Sequence, residues 1–85
     1  MLGIFEPFRR IIKDNGEPFI RDSRDGFRVW VYLIEGSGWF WCVAQTLSPW
    51  VIREGFEPSF EEAEEKMMKA YRSMTKKPIV RFMEA

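Results

Sequence analysis

Residues 26–45 read GFRVWVYLIEGSGWFWCVAQ, and this stretch decides the predicted fold. Two runs rich in β-branched and aromatic residues flank Gly36, Ser37 and Gly38, which is typical of two strands joined by a tight turn. The sequence therefore predicts a β-hairpin with strands over 27–35 and 39–47. A half-buried strand alternates apolar and polar residues, and these two strands hardly alternate. We therefore expect both faces of the hairpin to be apolar.

The other elements are predicted from shorter signals on either side of the hairpin. Apolar residues at helical spacing predict a short amphipathic helix over 4–13, followed by a turn-rich loop over 17–26. After the hairpin we expect a short third strand over 50–54, a longer helix, and a last strand over 79–83. The predicted order is α-β-β-β-α-β. It corresponds to a single α+β domain over 1–85, in which an antiparallel meander of three to four strands packs on one amphipathic helix.

The longer helix has the clearest boundaries in the sequence. Ser59 is expected to be its N-cap, and Glu62, three residues later, completes a capping box. Acidic residues stand early in this helix and lysines late, which suits the helix dipole. Its apolar stripe is predicted to pack on the sheet and consists of Phe60, Ala63, Met67, Ala70, Tyr71 and Met74.

A turn centred on Gly36 and Ser37 is expected to place Ile34 opposite Trp39, and this register sorts the hairpin side chains into two faces. The face expected to pack under the helix collects Phe27, Val29, Val31, Leu33, Phe40, Cys42, Ala44 and Thr46. The opposite face is more aromatic, and its candidate protein-binding residues are Arg28, Trp30, Tyr32, Ile34, Trp39 and Trp41.

Three structures could cover this aromatic face, since monomers seldom leave large apolar patches bare. The first is the N-terminal helix, through Phe5, Phe8, Ile11 and Ile12. The second is another copy of the chain in a symmetric homodimer, where Trp and Tyr with an Arg rim are typical interface residues. The third is a different macromolecule that docks on the face.

Composition limits the classes of protein that fit. At 85 residues the core is thin, and thirteen basic residues balance thirteen acidic ones, so the overall charge does not favour nucleic acid. Cys42 is the only cysteine, which excludes an intramolecular disulfide and makes a reducing cytoplasm the expected compartment. The first twelve residues hold too short an apolar run for a signal peptide or a membrane span, so no membrane partner is expected.

Catalytic chemistry finds little support in the sequence. The chain has no histidine, and Cys42 lies mid-strand without a base to activate it, so we expect a buried and inert thiol. The carboxylates near the helix start are best explained by the helix dipole rather than by a metal. No glycine-rich phosphate-binding motif occurs. We therefore expect no catalytic residue, no cofactor, no metal and no small-molecule substrate.

Nucleic acid is the alternative partner. The order α-β-β-β-α resembles double-stranded RNA-binding domains, and a short three-stranded sheet followed by a helix resembles the arm-type DNA-binding domains of phage integrases. The helix start SFEEAEE would repel phosphate, however, and the basic residues are interleaved with acidic ones. The candidate nucleic-acid-binding residues of a small regulator are Arg9, Arg10, Lys13, Arg21, Arg24 and Arg28.

The leading hypothesis is a non-enzymatic protein-interaction module. It would bind another protein, or a second copy of itself, through the aromatic sheet face and its edge. In its size and its lack of catalytic groups the chain is similar to inhibitors encoded by phages and mobile elements, such as anti-CRISPR proteins. That resemblance implies an inhibitor that acts by occupying a host complex.

Overall fold

A computed structural model of the chain describes residues 6–48 and 52–76. Within these residues five strands precede one helix: β1 (Ile11–Ile12), β2 (Pro18–Arg24), β3 (Phe27–Ile34), β4 (Gly38–Gln45), β5 (Ile52–Glu57) and α1 (Phe60–Lys76). The strands form one antiparallel sheet in the order β1-β2-β3-β4-β5, and α1 packs on one face of it. The expected α+β meander is confirmed, whereas the strand count and the element order were wrong.

The predicted N-terminal helix over 4–13 is absent from its described part, residues 6–13. Residues 6–10 have no regular structure, and Ile11–Ile12 forms β1. Asn15 and Gly16, which directly follow the predicted helix, belong to the turn from β1 to β2, in which Gly16 has φ of 88° and donates to the Lys13 carbonyl at 2.8 Å. The predicted last strand over 79–83 lies outside the described residues.

Strand β2 replaces most of the predicted loop over 17–26. Asp25 and Gly26 both have positive φ, 54° and 81°, which is the backbone of the two-residue turn that best fits the twist of a hairpin. Arg24 accordingly pairs with Phe27 across the turn. The Tyr71 hydroxyl of α1 donates to Asp25 Oδ2 at 2.6 Å, so the helix holds this turn in place.

The loop between β3 and β4 shifts the hairpin register by one residue from the prediction. Ile34 pairs with Gly38, and the Ser37 amide donates to the Ile34 carbonyl at 2.9 Å, so three residues rather than four form the loop. Trp39 therefore lies opposite Leu33 instead of Ile34. Because side chains alternate along a strand, this shift moves every β4 side chain to the face opposite the predicted one.

The core lies between the sheet and α1. On the sheet side it contains four fully buried side chains, Ile20, Val29, Val31 and Val43. The whole predicted stripe of α1 is buried against them, from Phe60 to Met74. The predicted capping box is half formed, because the Glu62 amide donates to Ser59 Oγ at 3.2 Å.

Two tryptophans of β4 complete the core as a consequence of the shifted register. Trp39 packs edge-on against Phe60, with 5.5 Å between ring centroids. The Trp41 ring lies over Gly55 of β5, and its Nε1 donates to Glu57 Oε2 at 3.2 Å. A Cβ atom at residue 55 would lie 2.9 Å from Trp41 Nε1, so any other residue at this strand position would force the indole or the strand to shift.

We expect Gly55→Ala to lower the free energy of unfolding by about 1–3 kcal/mol, because the added methyl group overpacks the contact with Trp41. Urea unfolding of the two proteins measures the difference. In a Trp41→Phe background, which removes the indole atoms that the methyl group would meet, the same change should cost less than about 1 kcal/mol. Equal losses in both backgrounds would contradict the packing explanation.

Candidate protein-interaction surface

The face of the sheet turned away from α1, called here the outer face, carries three rows of side chains that run across the strands. The aromatic row contains Phe19, Tyr32, Phe40 and Phe56 from β2, β3, β4 and β5, and Ile11 of β1 lies at its end beside Phe19. The Tyr32 and Phe40 rings lie 5.4 Å apart between centroids, and the Phe40 and Phe56 rings 5.3 Å. Tyr32 is 38% exposed and Phe56 49% exposed, so the row is open to solvent.

Two further rows are fixed by the strand register. The charged row runs Arg21, Trp30, Cys42 and Glu54, each directly opposite the next. The third row runs Ser23, Arg28, Ala44 and Ile52 in the same way. The outer face therefore carries two arginines near one side and one glutamate near the other, with apolar side chains between them.

Trp30 is the centre of this surface. It lines three shallow hollows: one with Arg21 and Arg28, one with Phe19 and Tyr32, and one with Cys42, Ala44 and Ile52. The last of these exists because cysteine and alanine have short side chains next to a large ring. A ring that stands between depressions suits insertion into a partner surface.

The charges of the outer face lack ion-pair partners within residues 6–48 and 52–76. Arg21, Arg28 and Glu54 form no salt bridge there, whereas Arg10 pairs with Glu64 at 2.8 Å and Lys13 with Glu17 at 2.9 Å. Arg21, Arg28 and Glu54 are all exposed. They remain available to groups of a partner.

The structure places four of the six predicted protein-binding residues on the outer face. These are Arg28, Trp30, Tyr32 and Ile34, all on β3. The prediction that Trp39 and Trp41 share this face was wrong, since the register shift turns both towards α1. Phe40 and Phe56 take their place, and Phe19 is added by a strand that was expected to be a loop.

The N-terminal segment does not cover the outer face with its described residues. Phe8 is 2% exposed and packs edge-on against Tyr71 on the α1 side, with 5.1 Å between centroids. The Arg10 guanidinium lies 5.0 Å from the Phe60 ring centroid and is bound to Glu64 of α1. Residues 6–10 therefore belong to the layer of the helix, so in the described residues neither Phe8 nor a helix covers the outer face, whereas Phe5 lies outside the described residues.

The six candidate nucleic-acid-binding residues do not form one patch. Arg10 and Lys13 are engaged in salt bridges, and Arg24 donates to the carbonyls of Glu6 and Pro7 while lying 4.0 Å above the Phe8 ring. Arg9 is exposed in the segment that precedes β1. The outer face brings together only Arg21 and Arg28, with Trp30 between them.

Cys42 lies on the outer face and not on the predicted core face, yet it is only 6% exposed. Burial raises the pKa of the Cys42 thiol to about 11, and the nearby charge of Glu54 acts in the same direction. The thiol is therefore protonated at neutral pH, and a protonated thiol is a poor nucleophile.

We expect the native thiol to react with iodoacetamide at a rate that still rises about tenfold per pH unit between pH 8 and 10, because the thiolate is the reacting form. In urea the same thiol should titrate near its ordinary pKa of 9.0, since unfolding removes the burial. Alkylation followed by mass spectrometry measures both rates. A native rate that levels off near pH 9 would contradict the raised pKa.

No group of three or more His, Cys, Asp and Glu side chains in 6–48 and 52–76 is arranged to hold a metal ion. No helix in the same residues is long and apolar enough to cross a membrane.

Comparison with known proteins gives no relative to guide the assignment: no family model matches the chain, and no curated protein or solved structure shows significant similarity to it. The function is therefore inferred from the side chains of the outer face.

Proposed function

We propose that this chain is a non-enzymatic protein-interaction module that binds a protein surface through the outer face of its sheet. The supporting observation is the unequal cover of the two apolar faces. One face is buried by α1 and by Phe8, whereas Tyr32, Ile52 and Phe56 on the other face are 38–49% exposed within the described structure.

The chemistry of the outer face suits a protein partner. Aromatic residues and arginine are enriched at protein interfaces and supply most of the binding free energy where they are fully desolvated. Covering a half-exposed aromatic ring contributes roughly 1–2 kcal/mol through the hydrophobic effect. The Tyr32, Phe40 and Phe56 rings already contact one another, so their geometry is set before a partner arrives.

Nucleic acid is a weaker fit to the same surface. Binding a phosphate backbone requires several basic side chains along a track, and the outer face offers Arg21 and Arg28. Glu54 stands in the same row as Arg21 and would repel phosphate. The nucleic-acid hypothesis, the inhibitor role and the cytoplasmic location all stay predictions from the sequence.

We expect Trp30→Ala to abolish binding and to leave the fold intact, because Trp30 is half-buried on the outer face and makes no contact with α1. Binding is measured by photocrosslinking from a benzophenone amino acid at residue 56, with adducts identified by mass spectrometry. The same probe at residue 65, on the exposed side of α1, is the positional control.

Two matched variants separate binding from folding. Trp39→Ala removes a partly buried ring that packs against Phe60 and should cost about 2 kcal/mol or more in unfolding free energy. Leu47→Ala removes a side chain that is 89% exposed and should change neither the crosslinking nor the unfolding free energy. The proposal fails if Trp30→Ala unfolds the chain as Trp39→Ala does, or if crosslinking from residue 56 is the same with and without Trp30.

A further inference from the structure

We infer that the protein bound by the outer face is a second copy of this chain, packed face to face about a two-fold axis that runs parallel to the strands between β3 and β4. This inference rests on the proposed function and names its partner. Such a rotation exchanges β3 with β4 and β2 with β5. It does not move any of the three rows along the strand direction, so each row of one copy lies over the same row of the other copy.

The charged row is complementary to itself under this rotation. Arg21 and Glu54 occupy its two ends, on β2 and β5. The rotation brings Arg21 of one copy over Glu54 of the other, and the symmetry repeats the pair on the opposite side. Both charges are exposed and without an ion-pair partner in the described residues of the single chain. The dimer supplies both partners.

The centre of the face is complementary in shape. Trp30 on β3 is paired with Cys42 on β4, and the hollow lined by Cys42, Ala44 and Ile52 lies directly beside it. Exchanging β3 with β4 places the Trp30 ring of each copy over this hollow in the other copy. A large ring next to a depression on the same face is what an isologous contact requires.

The aromatic row also meets itself. The rotation stacks Tyr32 on Phe40 of the second copy and Phe19 on Phe56. Aligned sheets pack about 10 Å apart and cross at about 30°, which leaves room for such rings to interdigitate. Arg28 is in the row nearest the end of the sheet, so its guanidinium can reach solvent past Ala44 of the second copy.

Charge decides between this partner and an unrelated one. A face that carried arginines alone would select an acidic partner, and one that carried glutamate alone a basic partner. Here both signs stand at symmetry-related ends of one row, as self-association requires. Because four short strands offer a small contact area, we expect a dimer with a dissociation constant in the micromolar range.

The test is the solution mass of the full chain by sedimentation equilibrium, from about 1 µM to about 500 µM, which brackets a micromolar constant. We expect the mass to rise with concentration from 10.2 kDa towards twice that value. R21E and E54R should each weaken the dimer at least about tenfold, because each variant creates two repulsive pairs. R53E is the matched control. Arg53 is an exposed neighbour of Glu54, but its side chain lies on the other face of β5, so this charge reversal should leave the mass unchanged.

Two combinations test the pairing itself. The double variant R21E/E54R swaps the two charges and should dimerise again. A mixture of R21E with E54R should form a one-to-one heterodimer, because one chain is then acidic at both positions and the other basic. Thermal unfolding of every variant shows whether the variant has lost only the dimer or also its fold. If R21E or E54R does not fold, R21A and E54A take their place, and each is expected to weaken the dimer.

The inference is overturned if the native chain stays at 10.2 kDa at every concentration. It is also overturned if R21E and E54R dimerise as strongly as the native chain. The proposed function then depends on the separate crosslinking result. Adducts with another protein that need Trp30 would keep the proposed function and replace only the partner. A monomer without any adduct that needs Trp30 would overturn both.

Discussion

The three-residue loop between β3 and β4 determines which side chains this small domain buries and which it presents. It aligns Ile34 with Gly38, and Gly38 has φ of 113°, a backbone conformation that residues with a Cβ atom rarely adopt. From that pairing the alternation of the strand places Trp39, Trp41 and Val43 under α1. The same alternation leaves Phe40, Cys42 and Ala44 on the outer face. Both the core and the candidate interface thus depend on one register.

Much of the fold could be predicted from local signals. The apolar stripe of α1 and its Ser59 cap are confirmed, as is a hairpin over most of its predicted length. These elements are long, and the pattern of their apolar residues repeats often enough to identify them from the sequence. The strands at the N-terminal side were missed because Asn15-Gly16 directly follows the predicted helix over 4–13 and Asp25-Gly26 falls within the predicted loop over 17–26. Both dipeptides are strong hairpin signals, but β2 carries so few apolar residues that its sequence alone hides a strand.

The candidate site was harder to predict than the fold, for a physical reason. A strand has a period of two, so an error of one residue in loop length exchanges its two faces completely. The β3 residues Arg28, Trp30 and Tyr32 were placed correctly because their own alternation with buried valines fixes their face. On β4 both faces are apolar, so composition could not distinguish Trp41 from Phe40. Only the glycine spacing in the loop carried that information.

Packing on the inner side also shapes the outer face. Because Gly55 has no side chain, the Trp41 indole can lie against β5 at this position and reach Glu57, which also accepts from Lys66 at 3.5 Å. A bulkier residue at position 55 would push β5 away from β4. With the glycine, β5 stays in register and Phe56 lies against Phe40, so the aromatic row extends across one more strand. The glycine that admits a core tryptophan on one face therefore also fixes the aromatic row on the other, so core packing and the candidate interface are coupled through residue 55.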